Sequence, residues 1–365
     1  MNKRKIVLTV CGTIGIVVAI ILLIVLVGND RGSSMPKVGF IMSGSMNETG
    51  WNGMHYTGVK AACEKLGTEL LVKENVREFT GECNTAIEEM ADEGTGMIIL
   101  SSYGYSEEAR DLVKEYPEIV FYVNSSEYHD INMTSYFVRM YQARYLAGIV
   151  AGMKTDSQRI GYVAAMANNE VNRGINAFTL GVKSVNPNAE VVVAWTGEWD
   201  NAQKEEAAAT ALIEQEQVDV LTYHQNQPNV AIAAEAAGVY SIGYHQALTE
   251  CTDKHLTSVI CNWELVYEQI IREYLVGNGN TKNNYWIGME VDAVGLSDYS
   301  VEVTQEIQEK LEAAKTALLT GKDVFSGEIY DNEGTIRCEV GENISDEILL
   351  EQLDWYVEGV RFYDK

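Results

Sequence analysis

Two tryptophans lie at positions from which a flat side chain could bind a planar ligand. Trp51 follows a loop of small and polar residues, 44–50, that joins a predicted strand to a predicted helix. Trp199 precedes Asp200, a residue type that often caps the start of a helix, so it also lies at a strand-to-helix turn. An indole presents a large apolar face for stacking. We therefore predict that the two tryptophans stack on one ligand ring; packing of each turn is the alternative.

Polar side chains follow several of the predicted strands at the same end. In open α/β sheets, small ligands bind in the crevice outside the carboxyl ends of the strands. Hydroxyl, amide and imidazole groups at these ends suit hydrogen bonding to an uncharged heterocycle, although those of the first loop could instead cap their own turn. The candidate binding residues of this kind are Ser43, Ser45, Asn52, Ser102, Tyr103, Asn124, His224, Gln225, His245 and Gln246.

The sequence contains no motif for catalysis or for metal binding. It has neither a G-x-S-x-G nucleophile turn nor a phosphate-binding Walker loop. His224 and His245 could suggest zinc, but no third ligand stands at a suitable spacing. We therefore predict a binding protein without an enzymatic activity, a metal or a cofactor.

The strands that must position these residues are predicted from apolar runs that alternate with helical patterns, which is typical of βαβ units. The first series lies at 38–42, 69–72, 97–101, 119–123 and 135–138, and the second at 160–165, 190–195, 218–223 and 240–244. At 365 residues the chain is too long for one ordinary core. We therefore predict an α/β fold of two doubly wound lobes with a ligand cleft between them.

The first 36 residues are predicted to hold the folded part at a membrane. A basic stretch, 3–5, precedes a run without charges, 6–27, that would span about 33 Å as a helix, which is enough for a bilayer. The core of a cleaved signal peptide is shorter, about 7–15 residues. We therefore predict an uncleaved anchor in the cell membrane, with the folded part outside the cytoplasm. Cleavage of the segment and lipidation of Cys11 are the alternatives.

Charge and cysteine content exclude some partners and some fold types. The chain has 27 basic and 53 acidic residues, a net charge of −26, so neither nucleic acid nor an anionic membrane surface is expected to bind the folded part. The cysteines after residue 36 are odd in number and contain no C-x-x-C pair. Buried free thiols are therefore expected rather than a disulfide framework.

With these segments placed, residues 37–358 resemble the basic membrane protein family, the purine-nucleoside-receptor-like substrate-binding proteins of ABC importers. The resemblance is carried by VGFIMSGSMNETGWN, YLAGIVAGMKTDSQRIGYVAA, NRGINAFTLGVKSVNPNAEVVVAWTGEWDNAQKEEAAATALIEQEQVDVLTY, AAEAAGVYSIGY and LTSVICNW, in this order. It implies a type I periplasmic-binding-protein fold with crossings near 137–140, 258–261 and 287–290. Lobe I would comprise 37–138 and 262–288, and lobe II 139–261 and 289–365.

The resemblance also implies a function and adds residues to the site. Trp51 and Trp199 stand at the two aromatic positions of the family, Asn176 in the stretch RGINAF would face the ligand, and Asn262 would close the cleft after a hinge strand. The protein would be a monomeric, extracytoplasmic solute-binding protein that binds a purine base or nucleoside and docks on an ABC permease.

The sequence departs from the family where charged groups hold the nucleoside. Asn124 and His245 stand where Asp is common, and Cys261 stands where Lys is common. These departures leave a free purine base, or another planar heterocycle such as a flavin, open as the ligand. A ligand-sensing ectodomain, a nucleoside hydrolase and a sugar-binding protein of the same fold are the alternative functions.

Overall fold

The computed structural model describes residues 35–125, 130–279 and 284–363. The predicted membrane anchor and Cys11 lie outside the described residues. Within these ranges, none of the helices has both the length and the apolar character needed to cross a membrane. Residues from Lys37 onward form one compact unit, and the described cysteines are free thiols, most of them buried.

The first sheet has six parallel strands in the order β11-β5-β4-β3-β1-β2. Its strands are β1 (Lys37–Ile41), β2 (Glu69–Lys73), β3 (Met97–Leu100), β4 (Val120–Asn124), β5 (Met133–Val138) and β11 (Asn284–Ile287). Its helices are α1 (Trp51–Leu66), α2 (Glu82–Asp92), α3 (Tyr105–Glu108) and α8 (Trp263–Leu275). Strands β3 and β5 are buried along their whole length, as expected of a parallel sheet that is covered on both faces.

The second sheet has seven strands in the order β12-β10-β9-β8-β6-β7-β15, parallel except for β12. Its strands are β6 (Arg159–Ala164), β7 (Glu190–Trp195), β8 (Val220–His224), β9 (Tyr240–His245), β10 (His255–Cys261), β12 (Val294–Leu296) and β15 (Val360–Phe362). The helices that follow residue 138, apart from α8, are α4 (Met140–Lys154), α5 (Asn169–Val185), α6 (Ala202–Glu216), α7 (Asn229–Ala237), α9 (Gln305–Leu319) and α10 (Asp346–Glu351). A small antiparallel pair, β13 (Ile329–Tyr330) and β14 (Ile336–Cys338), lies near the end of the chain.

The chain passes between the two sheets three times. It leaves β5 for α4 at Arg139, leaves β10 for α8 at Asn262, and leaves β11 for β12 through 288–293. Two parallel α/β sheets joined in this way give the fold class that the sequence predicts. The carboxyl ends of β1, β3 and β4 therefore present their loops to those of β6, β8 and β9.

Helix α4 is held unusually close to α5 by small residues. A Cβ added to Gly148 would lie 2.0 Å from the carbonyl oxygen of Phe178, and one added to Gly181 would lie 2.0 Å from that of Tyr145. Only glycine allows backbones to approach this closely. The contact fixes α4 against the second sheet and buries Arg144, near its start, completely.

Candidate ligand-binding cleft

Trp51 is the first residue of α1 and its ring is fixed from two sides. The indole Nε1 donates a hydrogen bond of 3.1 Å to the carbonyl oxygen of Ser101, just after β3. The ring centroid lies 4.3 Å from that of His55, one turn further along the helix. The indole of Trp51 is therefore half-buried and held in one orientation near the ends of the strands, which suits a stacking residue.

The polar residues around Trp51 mainly stabilise their own loop. The Glu48 carboxylate accepts hydrogen bonds from the backbone N–H of Ser45 (2.7 Å) and from Nδ2 of Asn52 (2.8 Å). Ser43 donates to Oδ1 of Asn52 at 3.4 Å, and the Ser45 hydroxyl donates to Glu74 at 3.1 Å. The capping alternative thus accounts for the contacts of Ser43, Ser45 and Asn52, and these residues shape the loop under Trp51.

Several contacts join loops of the first sheet to loops of the second. The hydroxyl of Thr49 donates to Oε1 of Gln227 at 3.4 Å, and the hydroxyl of Ser125 donates to Oε2 of Glu170 at 2.9 Å. A Cβ on Gly50 would lie only 1.6 Å from the carbonyl oxygen of Asn226. The two sets of loops are therefore closed on one another.

His245, at the end of β9, lies at the centre of the ring contacts between the two sheets. Its ring centroid lies 4.7 Å from that of Trp51, nearly perpendicular, and 4.0 Å from that of Tyr244. Trp263 lies nearly parallel to it at 6.1 Å. The backbone of His245 has a φ of 67°, a left-handed conformation that is uncommon outside glycine and is often found at functional sites.

The imidazole of His245 is buried without a hydrogen-bond partner. Its side chain is 1% exposed, and neither ring nitrogen has a partner in the described part of the chain. Burial, followed by the nearby His55, His224 and Arg144, lowers the pKa of His245 well below its usual range. The ring is therefore neutral at pH 7 and offers one donor and one acceptor.

Arg144 is a buried cation beside these rings that the sequence analysis does not single out. Its guanidinium lies over the ring of Tyr244, 4.2 Å from the centroid, and 5.4 Å from that of Tyr162. The residue is fully buried, and none of its three guanidinium nitrogens has a hydrogen-bond partner among the described residues. A single charge within the otherwise apolar start of α4 is the sequence signal that could have revealed it.

His224 and Glu170 form the next part of the cleft. His224 Nε2 lies 2.8 Å from the Tyr244 hydroxyl and 3.4 Å from Oε1 of Glu170. Burial lowers the pKa of His224 to about 4, although Glu170 acts in the opposite direction. Burial raises the pKa of Glu170, but the hydrogen bond and charge of His224, the charge of Arg173 and the hydrogen bond of Ser125 outweigh this effect, and the carboxyl stays ionised at neutral pH.

Unpartnered polar atoms of buried residues concentrate around these rings. Among the residues that the structure describes, buried side chains of this region that carry a polar atom without a hydrogen-bond partner are His55, Ser101, Asn124, Arg144, Tyr162, Tyr223, His224, His245 and Trp263. Buried polar groups in folded proteins are almost always paired. Such a concentration at the strand ends therefore marks the place where a polar ligand would supply the missing partners.

Trp199 contributes to the same ring cluster from the second sheet. Its ring centroid lies 6.0 Å from that of His224, and His224 in turn lies 4.6 Å from Tyr244. Trp51 and Trp199 thus contact different histidines, His245 and His224, on neighbouring strands. Stacking of both indoles on one ligand ring stays a prediction.

Two of the predicted site residues, Asn176 and Gln225, form hydrogen bonds with other parts of the protein. Asn176 donates from Nδ2 to the carbonyl oxygen of Trp355 (2.9 Å) and accepts from the N–H of Val357 (3.0 Å), so its amide is used by the C-terminal segment. Gln225 bonds with the Thr196 hydroxyl at 2.8 Å, and its amide is best oriented to donate to the carbonyl oxygen of Trp199 at 3.1 Å. The amide of Asn176 is therefore engaged by the C-terminal segment and its contact with the ligand stays a prediction, while Gln225 supports the loop of Trp199.

Three further predicted residues lie beside the cleft rather than at its rings. Ser102 donates to Oε1 of Glu78 at 2.5 Å, and Tyr103 is 48% exposed. Asn262 is exposed at the crossing and lines a separate groove of about 220 Å³ with Leu146. We therefore leave these residues out of the ligand-binding centre. Gln246 is half-buried next to His245, and its role stays a prediction.

Metal binding has no support in this geometry. Within the described ranges, no group of three or more His, Cys, Asp or Glu side chains is arranged to hold a metal ion. The cleft offers instead rings, neutral imidazoles and one guanidinium, which is a set suited to binding an organic molecule.

The two joined α/β sheets have the fold of the type I periplasmic-binding-protein class. A solute-binding protein of an ABC transporter from Aeropyrum pernix superposes with a TM-score of 0.66 over 78% of this chain and 92% of its own, at 18% identity. A transcriptional activator of the comK gene from Bacillus halodurans superposes with a TM-score of 0.69 over 79% of this chain and 98% of its own, at 22% identity. At these identities the likeness shows the fold, and it confirms the predicted fold class.

The chain belongs to the Bmp family of PnrA-like ABC transporter substrate-binding proteins, whose family model matches residues 35–332. It is 30% identical over 328 residues to a purine-binding protein of Brucella abortus, which covers 89% of this chain and 92% of that protein. It is also 30% identical over 336 residues to a putative ABC transporter glucose-binding protein of Haloferax volcanii, covering 91% of this chain and 82% of that protein. The family resemblance seen in the sequence is confirmed. Substrate-binding proteins of ABC importers act outside the cytoplasm.

Proposed function

We propose that this substrate-binding protein captures a purine base, a nucleoside or a similar planar heterocycle in the cleft and delivers it to an ABC permease. The observation that carries the proposal is the set of unpartnered polar atoms on buried residues beside aromatic rings in contact with one another. A planar heterocycle supplies both a face for the indole of Trp51 and in-plane hydrogen-bonding atoms for the groups around it.

A sugar is the second candidate, because one relative is a putative glucose-binding protein. The described contacts favour the heterocycle over a sugar. A sugar presents many hydroxyl donors, which carboxylates accept well. Glu170, the carboxylate that contacts His224, already receives a hydrogen bond from Ser125 on its other oxygen. The remaining unpartnered groups lie beside aromatic rings and include both donors and acceptors, which match a flat molecule that carries both kinds of atom in its plane.

The cleft works by closure of two lobes, which we assign to 37–138 with 262–288 and to 139–261 with 289–365. The contacts of Thr49 with Gln227 and of Ser125 with Glu170 join these two parts. Hinge closure around a ligand is how bilobed binding proteins operate. The N-terminal run, 6–27, would keep the protein at the membrane surface near its permease, either as an uncleaved anchor or through a lipid on Cys11.

A thermal-shift screen of the full-length protein in mild detergent tests this proposal. The panel comprises purine bases, nucleosides, flavins and sugars. A ligand present at about 100 times its dissociation constant adds about 2.7 kcal/mol to the free energy of unfolding. We expect a purine base or nucleoside to give the largest shift; a clear shift with sugars alone would overturn the proposal. Release of free base from inosine during the incubation would instead show a hydrolase.

A further inference from the structure

The position of Arg144 defines what its guanidinium can reach. The residue lies near the start of α4 and is fully buried in the closed arrangement. Its guanidinium lies over the ring of Tyr244. The ring of Tyr244 contacts that of His245, and the ring of His245 contacts that of Trp51. Arg144 is thus connected to the stacking surface through two rings in direct contact.

The buried, unpaired guanidinium of Arg144 requires a hydrogen-bond acceptor. Arginine is not deprotonated in proteins, and each of its nitrogens is a donor. The cation–π contact with Tyr244 occupies none of the three guanidinium nitrogens, which have no hydrogen-bond partner among the described residues. Because a buried charge without hydrogen bonds is costly, the unpaired guanidinium of Arg144 points to an acceptor that comes with the ligand.

The surrounding charges favour a neutral acceptor over an anion. Glu170 is ionised and lies 3.4 Å from His224, a histidine on which the charge of Arg144 also acts, while His224 and His245 are themselves neutral. A second buried cation, Arg173, already donates to the carbonyl oxygen of Leu349 at 2.6 Å. A ligand with a carboxylate or phosphate would therefore add a negative charge beside Glu170, whereas a carbonyl oxygen would not.

We propose that Arg144 donates hydrogen bonds to a carbonyl oxygen of the bound ring and makes the protein prefer oxopurines to aminopurines. This inference rests on the proposed function and narrows its ligand class to hypoxanthine, xanthine, guanine and their nucleosides. Hypoxanthine and adenine differ at position 6, where one carries an oxygen acceptor and the other an amino donor. The amino group would face the guanidinium donors and leave them unpaired, which binding sites reject strongly.

Isothermal titration of the full-length protein with hypoxanthine and adenine tests the preference. Hydrogen bonds to charged groups imply that hypoxanthine binds about 10–150-fold more tightly than adenine. Arg144→Met should weaken hypoxanthine binding by a similar factor and should not weaken adenine binding, because it removes the unpaired donors that reject the amino group. Arg159→Met is the matched control, because Arg159 is exposed at the start of β6 and donates to the carbonyl oxygen of Glu216; it should change neither affinity.

A second variant and the melting temperature of the unliganded protein distinguish an effect on folding from an effect on ligand binding. Arg144→Met should melt at the same or a higher temperature, since it removes a buried unpaired charge. Arg144→Lys keeps the charge with a smaller donor set and should retain part of the preference. Equal or tighter adenine binding by the natural protein, or an unchanged preference in both variants, would overturn the inference and leave purine binding intact. Binding of no purine at all would instead overturn the proposed function, and the inference with it.

Discussion

Gly50 provides a direct test of whether closure of the cleft is coupled to ligand binding. It lies in the loop before Trp51 and faces the backbone of Asn226 from the second sheet. A Cβ at this position would lie 1.6 Å from the Asn226 carbonyl oxygen, and real Cβ atoms essentially never approach a heavy atom within 3.0 Å. Gly50→Ala therefore requires the two loops to separate by about 1.4 Å, the difference between these two distances.

The size of the effect follows from the kind of atom that must move. The obstacle is backbone, so it cannot rotate away as a flexible side chain would. Overpacking of this kind costs about 1–3 kcal/mol. Because the strain exists only in the closed state, it should appear as a population shift toward the open state and weaken ligand binding by about 5–150-fold. The unliganded protein can relieve the strain by opening, so its stability should change little.

Titration calorimetry with the tightest purine of the panel measures this loss, and small-angle scattering measures the radius of gyration with and without ligand. Gly295→Ala is the matched control, because a Cβ there would meet no heavy atom within 4 Å. Wild-type affinity in Gly50→Ala, together with a normal compaction on binding, would refute the coupling of this contact to closure.

Three further predictions concern the rings and the contacts around the cleft. Trp51→Ala should remove most of the binding, by at least about 30-fold for a central aromatic anchor; an unchanged dissociation constant would exclude Trp51 from the site. Ser125→Ala deletes a cross-cleft hydrogen bond to Glu170 and should weaken binding by about 2–12-fold without lowering the unliganded melting temperature, whereas an equal loss of stability would indicate a purely structural contact. The pKa of His224 falls from its usual 6.5 to about 4 in the folded protein, so unfolding takes up protons below pH 6.5. Stability should therefore be full above pH 6.5 and fall by up to about 3 kcal/mol toward pH 4; a smaller acid loss in His224→Gln, measured by denaturant titration, checks the assignment.

The strands could be predicted from the sequence because their signal is local. Every predicted strand of the two main series agrees with the structure within two residues at each end. The placement of His224 and His245 at strand ends followed from the same pattern, because a residue at the end of an apolar run in a parallel sheet lies at a known edge. These local patterns, with the family resemblance, were sufficient for the architecture and for part of the cleft.

The role of Arg144 and that of Asn176 could not be predicted in this way, because both depend on distant contacts. The direction of Arg144 is set by the crossing of α4 from one sheet to the other and by its packing on α5. Asn176 looked available on its helix, but its amide binds backbone groups of residues 355 and 357, about 180 positions away. These distant contacts cannot be recognised from the residues that neighbour Arg144 or Asn176 in the sequence, so hydrophobic periodicity and turn residues do not predict them.

The unpartnered groups of the cleft also bear on how the protein distinguishes its free and bound states. In the closed arrangement Arg144 and His245 are buried without hydrogen bonds, which is costly for a protein of ordinary stability. Opening would return these groups to water and relieve that cost, while a ligand with matching atoms would relieve it without opening. The groups that select the ligand are therefore the same groups that make closure depend on it. A substitution that replaces them by apolar side chains should favour the closed form without ligand, at the expense of selectivity.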